Sequence, residues 1–142
     1  MSGEFFDSNV LLYLFDDVDF AKNRRASGLL EESVDRNLAT ISFQVVQEVL
    51  NVVTKRLTPP AGPDHAQFML AEVLAPLWTV MPSRRLYEEA LLIHERYQYA
   101  FYDSLIIAAA IEADCERLWT EDMQHGQVID GLTIVNPFLD PG

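Results

Sequence analysis

The stretch EFFDSNVLLYLF, residues 4–15, changes its pattern within one residue. EFFD reads as a short buried strand ending at Asp7, and Ser8 then stands ready to cap an apolar helix, NVLLYLF. A strand that passes straight into a helix at an acidic residue is the start of a βα alternation, and the rest of the chain continues it. From Asp19 to Asn37, Phe20, Ala26, Leu29, Leu30 and Val34 recur among charges at helical spacing. LATIS (38–42) is a second strand, with Ser42 placed to cap the helix FQVVQEVLNVVTKRL, which breaks at the proline-rich TPPAGP of 58–63. Asp64 and Gln67 have capping-box spacing for a helix running to about Leu74 and ended by Pro76. WTVM (78–81) is a third strand, and Ser83 opens the helical RRLYEEALLIHERY. A further helix runs from about Asp103 to Asp114, followed by strands at RLWT (117–120) and LTIV (132–135). About five short strands separated by helices predict an α/β fold: a mostly parallel sheet with helices on both faces, as one domain over 1–142. No internal repeat or low-complexity segment divides it.

Composition narrows the function. The chain has 142 residues, enough for one core, and 49% of them are hydrophobic. Its longest strictly apolar run, Leu105 to Ile111, is too short to cross a bilayer, and no signal peptide opens the sequence. A soluble, cytoplasmic protein is expected. The single cysteine, Cys115, suits a reducing compartment and is expected to be a small buried hydrophobe. Ten Lys and Arg against 22 Asp and Glu leave a net charge of −12, which argues against a protein that coats nucleic acid. It permits an enzyme that meets RNA through bound metal ions and a local basic patch, and it suits a basic protein partner.

Four acids stand out against this frame. Sites in open α/β sheets form beyond the carboxyl ends of the strands. Asp7 ends the first strand, and Asp122 lies two residues past Thr120, at the end of the fourth. Glu48 sits among Val45, Val49 and Val52 at helical spacing, and a Glu on an apolar face is costly unless paired or coordinated. Asp103 precedes the apolar run of YAFYDSLIIAAAIEAD (99–114), where it could cap a helix or join a cation site. Carboxylates ~6 Å apart repel by ~3 kcal/mol per pair at an effective dielectric of ~20. Clustered, they need shared protons or divalent cations, and all-oxygen donors without His or Cys favour Mg²⁺ or Mn²⁺ over zinc.

DSNVLLYL (7–14), VVQEVLNV around Glu48, YDSLIIAAA (102–110) and WTEDMQHGQVIDGLTIVNPF (119–138) together resemble PIN-domain proteins, specifically VapC-type toxin ribonucleases of bacterial or archaeal toxin–antitoxin pairs. The resemblance runs nearly end to end. It implies a PIN-like three-layer α/β/α sandwich and a Mg²⁺- or Mn²⁺-dependent endoribonuclease that hydrolyses structured RNA, transfer or ribosomal, leaving a 5′-phosphate and a 3′-hydroxyl. By the same resemblance Asp7 and Asp103 are the principal metal ligands, Glu48 and Asp122 assist them, and Thr120, Ser8 and Asn9 position the site. A VapB-type antitoxin and a homodimer, using apolar surface on the early helices, are the implied partners. A PIN-like module kept only for antitoxin binding or scaffolding is the alternative. A phosphoacceptor receiver domain is disfavoured, since WTVMPS brings no third-strand Asp and no lysine follows Lys55.

RNA also needs cations to hold it. Lys22, Arg24 and Arg25 cluster on one helix, Lys55 and Arg56 end another, and Arg84 and Arg85 begin a third. Such runs are usually solvated helix faces, yet with so few cations their pairing makes these the expected RNA contacts. His65 and His94 are expected at the surface, while His125 lies near the proposed site. Trp78 and Trp119 are expected in the core.

Overall fold

The computed structural model describes residues 3–55 and 63–139, with Pro63 described in its backbone only. Arg56 and most of the predicted proline-rich break, 58–62, lie outside the described residues. In chain order the elements are β1 (Gly3–Phe6), α1 (Ser8–Leu12) with a 3₁₀ turn at Tyr13–Phe15, α2 (Phe20–Asp35), β2 (Ala39–Ser42) and α3 (Phe43–Lys55). Next come α4 (Pro63–Phe68), a π-helical segment Met69–Leu74, α5 (Ala75–Leu77) and β3 (Trp78–Val80). The chain continues through α6 (Arg84–Tyr97), α7 (Phe101–Glu112), β4 (Cys115–Trp119), β5 (Val128–Ile129) and β6 (Leu132–Val135).

The strands form one sheet in the order β3-β2-β1-β4-β6-β5, parallel except for the β5–β6 pair. From β1 the chain steps outward through β2 to β3, then returns to place β4 on the other side of β1. The strand order therefore reverses between β1 and β4, the crevice where an open α/β sheet binds ligands. Right-handed crossovers put α1 to α5 on one face and α6 with α7 on the other. The α7 helix carries the deepest burial: every residue from Ser104 to Ala110 is buried, so it sits between the sheet and α6. Phe5, Phe6, Ile41, Leu118 and Ile134 fill the strand side of the core. Trp119 joins them, whereas Trp78 is half-buried and its indole N–H donates to the Val80 carbonyl at 2.9 Å.

Several local expectations are corrected. The cap of α1 is Asp7, whose Oδ1 accepts the Ser8 N–H at 2.7 Å, so Ser8 is the first helical residue. The Ser42 hydroxyl is buried without a partner and caps nothing. Pro63 starts α4, placing Asp64 inside the first turn. Helical structure then continues past Pro76 to Leu77, because the π-helical turn and the restart at Ala75 put proline where a helix needs no N–H. The helix expected from Asp103 begins at Phe101, and β4 starts earlier than expected, at Cys115. The sixth strand, β5, forms a hairpin with β6 across Asp130 (φ +49°) and Gly131 (φ +84°), a positive-φ pair that Asp-Gly supplies at low strain. The Ser83 cap is as expected, accepting the Leu86 N–H at 3.1 Å.

Candidate metal centre

Each acid reaches the β1–β4 crevice from a different element. Asp7 follows β1 and is buried. Its Oδ2 accepts the Thr120 hydroxyl, from just past β4, at 2.8 Å. Glu48 projects from the second turn of α3, where its Oε1 accepts the Ser8 hydroxyl at 2.8 Å and its Oε2 the Gln44 side-chain amide at 3.3 Å. Gln44 also donates to the Tyr102 carbonyl at 3.0 Å, tying α3 to the start of α7. Asp122 lies in the turn after β4, and its Oδ2 accepts the Asn9 amide at 2.9 Å.

Asn9 is the link between these groups. Its Nδ2 lies 3.2 Å from Thr120 Oγ1 and 3.4 Å from Asp7 Oδ2, and its Oδ1 accepts the Glu121 N–H at 3.2 Å. Asp103 differs from the other three. It occupies the first turn of α7, past an N-cap at Ala100 that makes no side-chain bond, so capping does not explain it. Its carboxylate makes no hydrogen bond among the described residues.

Electrostatics couples the four acids in pairs. Burial pushes the Asp7 carboxyl up from 3.8 to about 7, with Glu48 and then Asp103 adding repulsion against the opposing bonds from Thr120 and Ser8. Asp103 is also held above the ordinary carboxyl range, by burial first and then by the charges of Asp122 and Glu48. Among the described residues, no group of three His, Cys, Asp or Glu side chains stands ready to hold a metal ion. The donor chemistry still fits a hard divalent cation. Mg²⁺ keeps several waters and takes one or two protein carboxylates, so the groups that could hold it are the buried, repelled Asp7 and the unbonded Asp103, with Glu48 and Asp122 the acids whose charges bear on them.

A brace missed at the sequence level holds the Asp122 turn. Glu121 forms an ion pair with Lys22 of α2 and accepts the Tyr13 hydroxyl at 2.8 Å, while Lys22 lies over the rings of Tyr13 and Phe138. Lys22 thus spends its charge within the protein. Arg24 is exposed on the same helix, and the Arg25 Nε donates to the Pro137 carbonyl at 2.9 Å. Lys55 is exposed at the end of α3. Arg84 is exposed beside Glu88, and Arg85 lines a cavity between α6 and α7 that none of the four acids touches. His94 is exposed, and His65 is half-buried against the Phe15 ring.

Comparison with known proteins agrees with this architecture. The family model described as PIN domain matches residues 5–129. Among solved structures, FitAB bound to an IR36 DNA fragment is similar over 98% of each chain, with a TM-score of 0.75 and 16% identity. A toxin–antitoxin complex from Klebsiella pneumoniae covers 96% of this chain and 98% of its own, with a TM-score of 0.69 and 21% identity. Mycobacterium tuberculosis VapC20, described as a Sarcin-Ricin loop cleaving toxin, covers 84% of this chain and 90% of its own, with a TM-score of 0.61 and 19% identity. No curated protein matches the chain.

Proposed function

The chain belongs to the PIN domain family, and on that premise we propose that it is a metal-dependent endoribonuclease toxin acting on structured cellular RNA and neutralised by a VapB-type antitoxin. The observation that carries this is Asp7, a carboxylate buried at the strand-order reversal with its carboxyl pushed up to about 7 by burial and by Glu48 and Asp103. A fold keeps such a group for a cation or a proton. Mg²⁺ or Mn²⁺, when bound, supplies a Lewis acid and a water of lowered pKa.

The chain's residues do the positioning. Thr120 and Ser8 fix both oxygens of Asp7, and Ser8 with Gln44 fixes Glu48. Asn9 holds Asp122, leaving Asp103 as the one of the four acids with no hydrogen-bond partner among the described residues. An array of oriented carboxylates on a rigid sheet edge is what in-line phosphodiester displacement needs, since catalysis of that reaction is mostly positioning and charge stabilisation. The structural neighbours described as a toxin–antitoxin complex and a cleaving toxin support the toxin reading. A homodimer is part of the proposal, supported by the exposed Val18, just before α2, and Phe20, its first residue. A cytoplasmic site of action accords with the described helices, none of which is long and apolar enough to cross a membrane.

The scaffold reading is favoured by one observation, the lack of a ready-made group of three ligands among the described residues. Incubating purified total RNA with Mg²⁺ or Mn²⁺, beside an EDTA control and an Asp103→Asn variant, separates the two. Discrete, metal-dependent 5′ ends that vanish in the variant are expected; equal inertness of folded, antitoxin-free wild type and variant would favour the scaffold.

A further inference from the structure

A chain with 22 acids and ten Lys or Arg has few places where a polyanion can rest. The two cavities along α6 both carry acids: Glu89 and Glu112 line one, and Glu89, Glu95 and Asp130 the other. A third cavity, of about 620 Å³, is lined by Arg25, His125, Val135, Asn136, Pro137, Phe138 and Leu139. None of these described lining residues is acidic. It opens beyond the carboxyl end of β6, which pairs in parallel with β4, so it lies on the same sheet edge as Asp7 and Asp122. His125 follows Asp122 by three residues, a separation that even extended chain cannot stretch beyond ~10 Å.

Two donors are set in place there. The Arg25 guanidinium is anchored through Nε to the Pro137 carbonyl at 2.9 Å, its one hydrogen bond among the described residues, which leaves the terminal N–H groups to a ligand. The His125 Nδ1 accepts the Asn136 N–H at 3.0 Å, which assigns the ring proton to Nε2 and makes that edge a donor. A forked guanidinium beside an imidazole N–H matches the oxygens of a phosphodiester.

Resting on the nuclease reading above, we propose that this cavity holds the RNA backbone beside the scissile phosphate, with Arg25 and His125 as its phosphate contacts. Of the cations expected from sequence, this RNA handle keeps Arg25, adds His125 and leaves out the Arg84–Arg85 pair.

The test measures binding of a short, labelled single-stranded RNA of mixed sequence across a salt series, in an Asp103→Asn background that does not cut the probe. Arg25→Gln is expected to weaken binding about tenfold and to lower the slope of log K against log salt by about 1. His125→Ala should weaken binding several-fold, while Arg25→Lys, which keeps the charge, should keep the slope. Arg96→Gln removes the same charge from an acid-lined cavity and should leave affinity within about twofold. Equal losses for Arg25→Gln and Arg96→Gln, or no loss in either cavity variant, would overturn the assignment. Cleavage by the wild-type chain is scored separately, so a chain that binds through this cavity without cutting would refute the nuclease reading alone.

Discussion

Replacing Asp7 by Asn is expected to stabilise the metal-free protein at pH 8 and destabilise it at pH 4. A carboxyl whose value is about 7 folded and 3.8 unfolded binds its proton more tightly in the native state, so its contribution is fully present below 3.8 and is lost as pH rises to about 7. A difference of about 3 pKa units at ~1.36 kcal/mol each makes that loss about 4 kcal/mol. Asparagine removes it, but its amide does not reproduce the hydrogen bonds that the protonated carboxyl makes with Thr120 and its neighbours, a cost of ~1–2 kcal/mol at either pH. The net gain at pH 8 is therefore about 2–3 kcal/mol, turning into a loss of ~1 kcal/mol at pH 4, where native Asp7 already holds its proton. Urea denaturation with a chelator present, at both pH values, measures this directly. Adding Mg²⁺ at pH 8 should stabilise the wild type and shrink the gap, since a ligand of the native state shifts the equilibrium by mass action. A variant less stable than wild type at pH 8, or equally offset at both pH values, would refute the reasoning.

Three further outcomes follow from the same geometry. Thr120→Val removes a hydrogen bond that holds the Asp7 carboxyl down, so the acidic limb of the pH–rate profile at fixed Mg²⁺ should move up by about one unit; an unmoved limb would contradict this. Lys22→Met should lower kcat/KM about tenfold by freeing the Glu121–Asp122 turn, and adding Glu121→Gln should cost little more, because both act on one ion pair. Cys115 is buried, and burial first, then the charges of Asp114 and Glu4, push its thiol up to about 12, so a thiol reagent at pH 8 should label it only after unfolding.

Much of the fold was legible because its signals are local. The alternation of short apolar strands with helical periods follows from side-chain spacing, and the Ser83 cap from a single hydroxyl reaching one N–H three residues on. Where tertiary contacts override local preference, the sequence misled. Ser42 has the chemistry of a cap, but core packing buries its hydroxyl without a partner. Pro76 reads as a stop, yet the π-helical segment before it absorbs the change. The hairpin of β5 and β6 carried a readable mark, Asp130-Gly131 between apolar residues, and was missed because a strand of two residues shows no periodicity.

The four acids were legible singly, and the hydrogen bonds around them were not. Asp7 and Asp122 could be placed at a sheet edge from strand ends alone. That Asn9 joins Asp7, Thr120 and Asp122 requires a contact spanning more than one hundred residues, which no local pattern reports. Gln44, Tyr13 and Glu121 escaped for the same reason. Glu4, paired with Arg117 at 2.8 Å through the β1–β4 register, is likewise visible only once the strands are side by side.

On the proposed function, the four carboxylates together hold a divalent cation. Titrating Mn²⁺ into the chelator-stripped protein at pH 8, followed by the paramagnetic signal of the free ion, tests it without depending on any RNA. One saturable class of site is expected, displaced by Mg²⁺ and weakened at least about tenfold in Asp103→Asn. Binding of equal strength in folded wild type and variant, or none in either, would contradict it.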